Sequence, residues 1–117
     1  MVEARLFEIK ASDGTVLYAR EWVVDGAQKE VARMLIVHGI GEHSGRYQGV
    51  ADALTKRGVR VVSFDHRGHG KSGGKRVYVE SIDVFLQDVD SALKTAQSLE
   101  NNDKSPENSV PLFLYGH

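Results

Sequence analysis

Apolar and polar residues alternate from Leu6 to Lys10, which places successive side chains on opposite faces of a strand. Ser12-Asp13-Gly14 supplies a turn, and Val16 to Val24 reads as a second strand, so the chain opens on a predicted β-hairpin. Met34-Leu35-Ile36-Val37 is a continuous apolar run, as a strand covered on both faces requires. Tyr47, Val50, Ala51 and Leu54 then recur at helical spacing and predict a helix with one buried face. Lys56 and Arg57 fall in its last turn, and Gly58 suits the left-handed closing position. Val59 to Phe64 predicts the next buried strand. From about Asp83 to Leu99, apolar Phe85, Val89, Ala92, Ala96 and Leu99 mark a second helix. A polar connector, Asn101 to Ser109, leads to a last strand over Leu112-Phe113-Leu114-Tyr115.

The predicted order is β-β-β-α-β-α-β. Strands alternating with helices imply an α/β fold with a mostly parallel sheet and an antiparallel N-terminal hairpin. A parallel sheet needs cover on both faces, and two helices cover it poorly, so the pattern reads as the opening part of a larger domain. In such sheets the working loops lie at the carboxyl ends of the strands. Here those loops are His38 to Tyr47, Asp65 to Gly74 and the closing Gly116-His117, all rich in glycine and histidine.

Composition narrows the chemistry. The formal net charge of the 117 residues is −1 with acidic and basic residues interspersed, which argues against a nucleic-acid or anionic-membrane surface. There is no cysteine, hence no disulfide framework and no thiol nucleophile. Met1 to Arg5 lacks a signal-peptide hydrophobic region, and no apolar run approaches a membrane span. The cytoplasm is the expected compartment.

The first loop reads His38-Gly39-Ile40-Gly41-Glu42-His43-Ser44-Gly45-Arg46-Tyr47. Its glycines let backbone N–H groups approach a ligand, as the oxyanion hole of an acyl-transfer enzyme requires. A plain strand-to-helix turn explains the same glycines. The second loop reads Phe64-Asp65-His66-Arg67-Gly68-His69-Gly70-Lys71-Ser72-Gly73-Gly74, and the chain closes on Leu112-Phe113-Leu114-Tyr115-Gly116-His117. In order and in spacing, these three segments resemble the oxyanion loop, the loop after the fourth strand and the approach to the Gly-His-Ser-x-Gly elbow of the monoacylglycerol lipase and lysophospholipase family of α/β-hydrolases. The resemblance covers nearly the whole chain.

That resemblance implies a serine ester hydrolase acting on monoacylglycerols, lysophospholipids or other single-chain acyl esters, with no metal or organic cofactor. It implies that Ile40 supplies one oxyanion-hole N–H, while His38, Gly39, Gly41 and Asp65 shape the loops. His43 supports the oxyanion turn from its far side. The nucleophilic serine is expected immediately after His117, with the second oxyanion N–H, the cap, the aspartate and the histidine base further on. Residues 1–117 are then the N-terminal part of a single domain, inactive alone, whose remainder is supplied by the rest of the hydrolase or by a second chain. The same resemblance allows peripheral membrane contact through the cap.

Other readings meet obstacles. Gly70-Lys71-Ser72 ends like a phosphate-binding loop, but the first glycine of that motif would fall on Asp65. His66 and His69 with Asp65, or His43 with Glu42, have ligand chemistry on a glycine-rich loop without cysteine, a poor context for a metal. Loop hydrogen bonding is the alternative for His66 and His69. Ser44 and Ser72 are not in Gly-x-Ser-x-Gly, so neither is favoured as nucleophile. A non-catalytic fragment or binding module of α/β-hydrolase origin stays open as the alternative function.

Overall fold

The computed structural model describes residues 3–24, 29–39, 43–76, 81–99 and 110–116. Among these, five strands and two α-helices follow in the predicted order: β1 (Arg5–Lys10), β2 (Val16–Trp22), β3 (Ala32–Val37), α1 (Gln48–Thr55), β4 (Val59–Phe64), α2 (Ile82–Ser98) and β5 (Leu112–Gly116). The connector at 101–109 lies outside the described residues. The second strand ends at Trp22, two residues before the predicted end.

The strands form one sheet in the order β1-β2-β4-β3-β5. β1 and β2 make the predicted antiparallel hairpin, with Arg5 opposite Glu21 and Lys10 opposite Val16. β2 also runs antiparallel to β4, so the antiparallel part reaches one strand further than the hairpin. β3 runs parallel to both neighbours, with Val37 opposite Phe64 on one side and Gly116 on the other. The chain travels from β3 to β4 in one direction and from β4 past β3 to β5 in the other. Right-handed crossovers in opposite directions put their helices on opposite faces.

The core divides accordingly. On one face Leu17, Ala19, Leu35, Val62 and Phe64 are buried with Ala92 and Ala96 of α2. On the other, Trp22, Ile36 and Val61 are buried with Tyr47 and Ala51. Consecutive residues such as Val61 and Val62 therefore serve opposite layers, which is why Met34 to Val37 of β3 and Val61-Val62 of β4 are continuous apolar runs. The Trp22 indole N–H donates to Gln48 Oε1 at 2.9 Å and ties the start of α1 to β2.

The first helix turns Tyr47, Ala51 and Leu54 of its predicted face to the core, and Val50 departs from it. A single 3-10 turn, Ser44–Tyr47, precedes α1, and the buried line runs through Tyr47, Ala51 and Thr55, whereas Val50 is 48% exposed. Steps of four residues from Tyr47 set the inward line, and Val50, one residue off it, turns outward. Gly58 does close the helix with φ +85°, and a Cβ there would stand 2.8 Å from the Lys29 carbonyl oxygen. Among the described residues, no helix is long and apolar enough to cross a membrane.

Candidate active site

The carboxyl ends of β3 and β4 deliver His38-Gly39 and Asp65–Ser72 to one edge of the sheet. The carboxyl end of β5 arrives beside them, since Gly116 faces Val37. Neighbouring strands lie about 4.8 Å apart, so the chain leaving β3 and the chain leaving β5 emerge as neighbours. Of the sequence-predicted positions, His38, Gly39 and Asp65 are brought together here. Ile40, Gly41 and His117 lie outside the described residues.

Asp65 is the hub of this edge and is 2% exposed. Its Oδ1 accepts the Ser44 N–H at 2.7 Å and the Ser44 hydroxyl at 2.8 Å, and its Oδ2 accepts the Lys71 N–H at 2.9 Å. One carboxylate thus binds the far end of the first loop to the middle of the second. Gly70 makes this possible, because at φ +48° its missing Cβ would stand 2.3 Å from Asp65 Oδ2. Burial alone would raise the Asp65 carboxyl. The hydrogen bonds from Lys71 and Ser44 outweigh it and hold the carboxyl below its ordinary value.

Both loop serines are engaged in the same network. The Ser44 hydroxyl donates to Asp65 and accepts from Arg20 Nε at 3.1 Å. The Ser72 hydroxyl donates to the Asp65 carbonyl and accepts the Tyr18 N–H at 2.8 Å. Both are buried, so their oxygens work on the protein's own backbone and side chains. The Lys71 N–H, which a phosphate would use in a nucleotide-binding loop, is occupied by a carboxylate.

The rings of His38, His66 and His69 are directed at backbone groups. His38 accepts the His66 N–H at Nε2, 2.9 Å, which leaves its Nδ1–H to donate to the Gly39 carbonyl at 2.7 Å. His66 returns a bond from Nε2–H to the His38 carbonyl at 2.9 Å. His69 uses Nδ1–H on the Arg67 carbonyl at 3.0 Å. Burial lowers the His38 imidazole, and the Gly39 bond only partly offsets this. Burial, with the His38 ring beside it, takes His66 down to about 4. Among the described residues, His66 Nδ1 and His69 Nε2 are buried with no hydrogen-bond partner. Among the described residues, no three or more His, Asp or Glu side chains gather in a way that could hold a metal ion.

Two sets of contacts were not foreseen from the residues. Arg67 donates to Asp88 from Nε at 2.7 Å and Nη2 at 2.8 Å, and reaches Asp13 from Nη1 at 2.8 Å. It ties the hairpin turn to α2, and those bonds hold Asp13 well below the carboxylate range. Tyr18 and Arg20 of β2 support the loops through Ser72 and Ser44, and Arg20 and Lys71 both lie against the Tyr18 ring. Alternation placed these side chains on β2, but nothing in the sequence indicated which loop they meet.

Comparison with known proteins adds the following. The family model Hydrolase_4, described as serine aminopeptidase, S33, matches residues 28–117. Over 106 residues the chain is 39% identical to the monoglyceride lipase of Rattus norvegicus, a match covering 91% of this chain and 32% of that protein. A carboxyl esterase from Bacillus coagulans has a TM-score of 0.76 at 23% identity, covering 100% of this chain and 37% of its own. A monoglyceride lipase from Saccharomyces cerevisiae has a TM-score of 0.74 at 24% identity, covering 100% and 35%. At such identities these structures speak to fold alone. The chain spans about a third or less of the length of the curated relatives it matches.

Proposed function

This chain belongs to the Hydrolase_4 family and has the N-terminal portion of an α/β-hydrolase fold, and on that premise we propose that the whole protein is a serine hydrolase of carboxylic esters, with monoacylglycerols or related single-chain acyl esters as substrates. The observation that carries the proposal is the register of β3 with β5, in which Val37 faces Gly116. An acyl-transfer site needs an oxyanion donor within reach of its nucleophile. A donor on the loop after β3 and a serine on the turn after β5 meet that need from adjacent strands. The similarity to monoglyceride lipases supports the substrate class.

In this reading the Ile40 N–H is one oxyanion donor. His38, Gly39, Gly41 and Asp65 hold the loop, and the nucleophile follows Gly116-His117. Attack by serine on the ester carbonyl forms a tetrahedral oxyanion. Its collapse expels the alcohol, and water activated by a histidine hydrolyses the acyl-enzyme. Residues 1–117 are the N-terminal part of that single domain. They contribute the oxyanion loop, and the rest of the hydrolase, as one chain or two, contributes the triad and the cap. Alone, they do not turn over ester. The proposal extends to location, a cytoplasmic enzyme that meets its substrate at membrane surfaces through the cap.

The test uses the whole protein. It should hydrolyse a short-chain monoacylglycerol faster than an aminoacyl arylamide, and a serine-directed fluorophosphonate should abolish that activity. Failure to hydrolyse any ester, or hydrolysis that survives the phosphonate, contradicts the proposal. Preference for the arylamide replaces the ester substrate with a peptide-like one.

A further inference from the structure

We propose that His66 is a positioning residue for the oxyanion loop, because its backbone N–H holds His38 in one tautomer while its ring anchors the His38 carbonyl, and the two bonds together fix the chain where it enters the loop at Gly39. The inference rests on the ester-hydrolase reading above and goes beyond it by assigning a role to a residue outside the triad and the loop itself.

Two hydrogen bonds join His66 to His38. The His66 N–H donates to His38 Nε2 and the His66 Nε2–H donates to the His38 carbonyl, each at 2.9 Å. The first bond fixes the His38 tautomer, since an Nε2 that accepts must leave the proton on Nδ1. The second fixes the direction of the His38 carbonyl, the last before the loop turns away from β3. The Nδ1–H of His38 then donates to the Gly39 carbonyl at 2.7 Å. In a trans peptide the carbonyl and the following N–H point in opposite directions. Pinning the Gly39 carbonyl against His38 therefore restrains the peptide that leads into the loop proposed to carry the oxyanion donor. The pair acts as a clamp on the two carbonyls at the exit of β3.

The surroundings suit a fixed device. The His38 and His66 rings meet edge to face with centroids 4.3 Å apart, and His66 also packs against Phe64 at 5.3 Å and Phe85 at 4.7 Å. Among the described residues His66 Nδ1 is buried with no hydrogen-bond partner, so none of them offers an acceptor for a second ring proton. His66 works as a neutral donor through Nε2 alone. A phenylalanine keeps its volume and its packing but loses that donor. A glutamine can restore an N–H at nearly the same place.

The experiment measures steady-state kinetics of the whole protein on a short-chain monoacylglycerol, for wild type, His66→Phe and His66→Gln. His66→Phe should lower kcat about tenfold to a hundredfold with KM unchanged, since a misaimed donor costs transition-state stabilisation and little ground-state binding. His66→Gln should recover most of the loss. Unchanged kcat in folded His66→Phe, or a loss expressed in KM alone, overturns the proposal, as does His66→Gln behaving like His66→Phe. Histidine-ring 15N shifts of the wild type give a second reading that needs no folded variant. His38 should carry its proton on Nδ1 and His66 on Nε2 at neutral pH, and either opposite tautomer overturns the proposal. Absence of ester turnover in the wild type contradicts the ester-hydrolase reading instead, and leaves the tautomer test standing.

Discussion

The two ends of the parallel strands β3 and β4 handle polar groups in opposite ways. At the amino ends, Arg33 and Arg60 sit side by side in register, each 4% exposed. Two like charges in adjacent strands are tolerated because carboxylates lie against them. Glu21 accepts from Arg60 at 3.0 and 2.8 Å, and Glu30 accepts from Arg33 at 2.7 Å and reaches Arg60 at 3.4 Å. Arg33 also donates to the Ala96 carbonyl at 2.7 Å, which ties α2 to the cluster. At the carboxyl ends, histidine rings and one carboxylate direct their bonds to backbone N–H and carbonyl groups of the loops. Side chains that pair with each other lock the strands. Side chains that bond to loop backbone decide where loop dipoles point, which is the requirement of a catalytic edge. Charge at one end therefore serves stability, and fixed tautomers at the other serve geometry.

The sharpest way to break that contrast is at the amino ends. Arg60→Met removes one partner of a buried cluster and leaves Glu21 fully buried without its main donor. Stability should fall by about 3–5 kcal/mol. The kcat of the whole, folded protein should not change. Equilibrium urea unfolding with kinetics on the same preparation checks both, and a large loss of kcat in a stable variant would erase the division between the ends.

Asp65→Ala tests the boundary case, a charge at the carboxyl ends. It deprives Ser44 and Lys71 of a shared acceptor. We expect a stability loss of about 3 kcal/mol, the cost of unpaired buried donors, and a smaller effect on the kcat of the folded fraction. A normally stable variant with activity down several powers of ten would make Asp65 a participant in the chemistry.

The smallest expected effect is a pH dependence. His66 faces His38 at the end of β3, His69 of its own loop and Asp88 of α2, and its folded-state value is about 4 against 6.5 for a free histidine. His38 is also lowered. Between pH 6.5 and about 4 the unfolded chain binds protons that the folded chain refuses, so stability must fall as pH falls through that window. Each histidine contributes up to about 1.4 kcal/mol per pH unit. Asp65, lowered as a carboxyl, loses its contribution only below 3.8. Denaturant melts at pH 7.5 and 5 should differ for wild type and differ less for His66→Gln. Equal slopes in the two proteins would contradict the burial of His66 as a neutral ring.

Much of this was legible in the residues. Period two, helical spacing and the glycine at 58 fix the order of the five strands and two α-helices but not the 3-10 turn before α1, and the loops with chemistry fall at the carboxyl ends as α/β sheets require. Hydrogen bonding in the loops was open to His66 from its type, but its partner His38 stands 28 positions away. Arg60 inside a buried strand signals that some acceptor must meet it, yet Glu21 lies 39 positions earlier on another strand. Asp88 reads as a surface position of an amphipathic helix and is buried because Arg67 holds it. Periodicity reports which face a residue takes. It cannot report which long-range partner a polar group finds, because that is settled by strand order and register.

In the proposed ester hydrolase the loop after β3 acts through its backbone, and one kinetic comparison in the whole protein tests this most directly. Gly39→Val restricts the backbone at the pinned carbonyl, whereas Ile40→Ala alters only a side chain. With folding verified by circular dichroism, Gly39→Val should lower kcat on a short-chain monoacylglycerol about a hundredfold or more, while Ile40→Ala retains much of the wild-type rate. A folded Gly39→Val protein turning over at the wild-type rate would contradict the account.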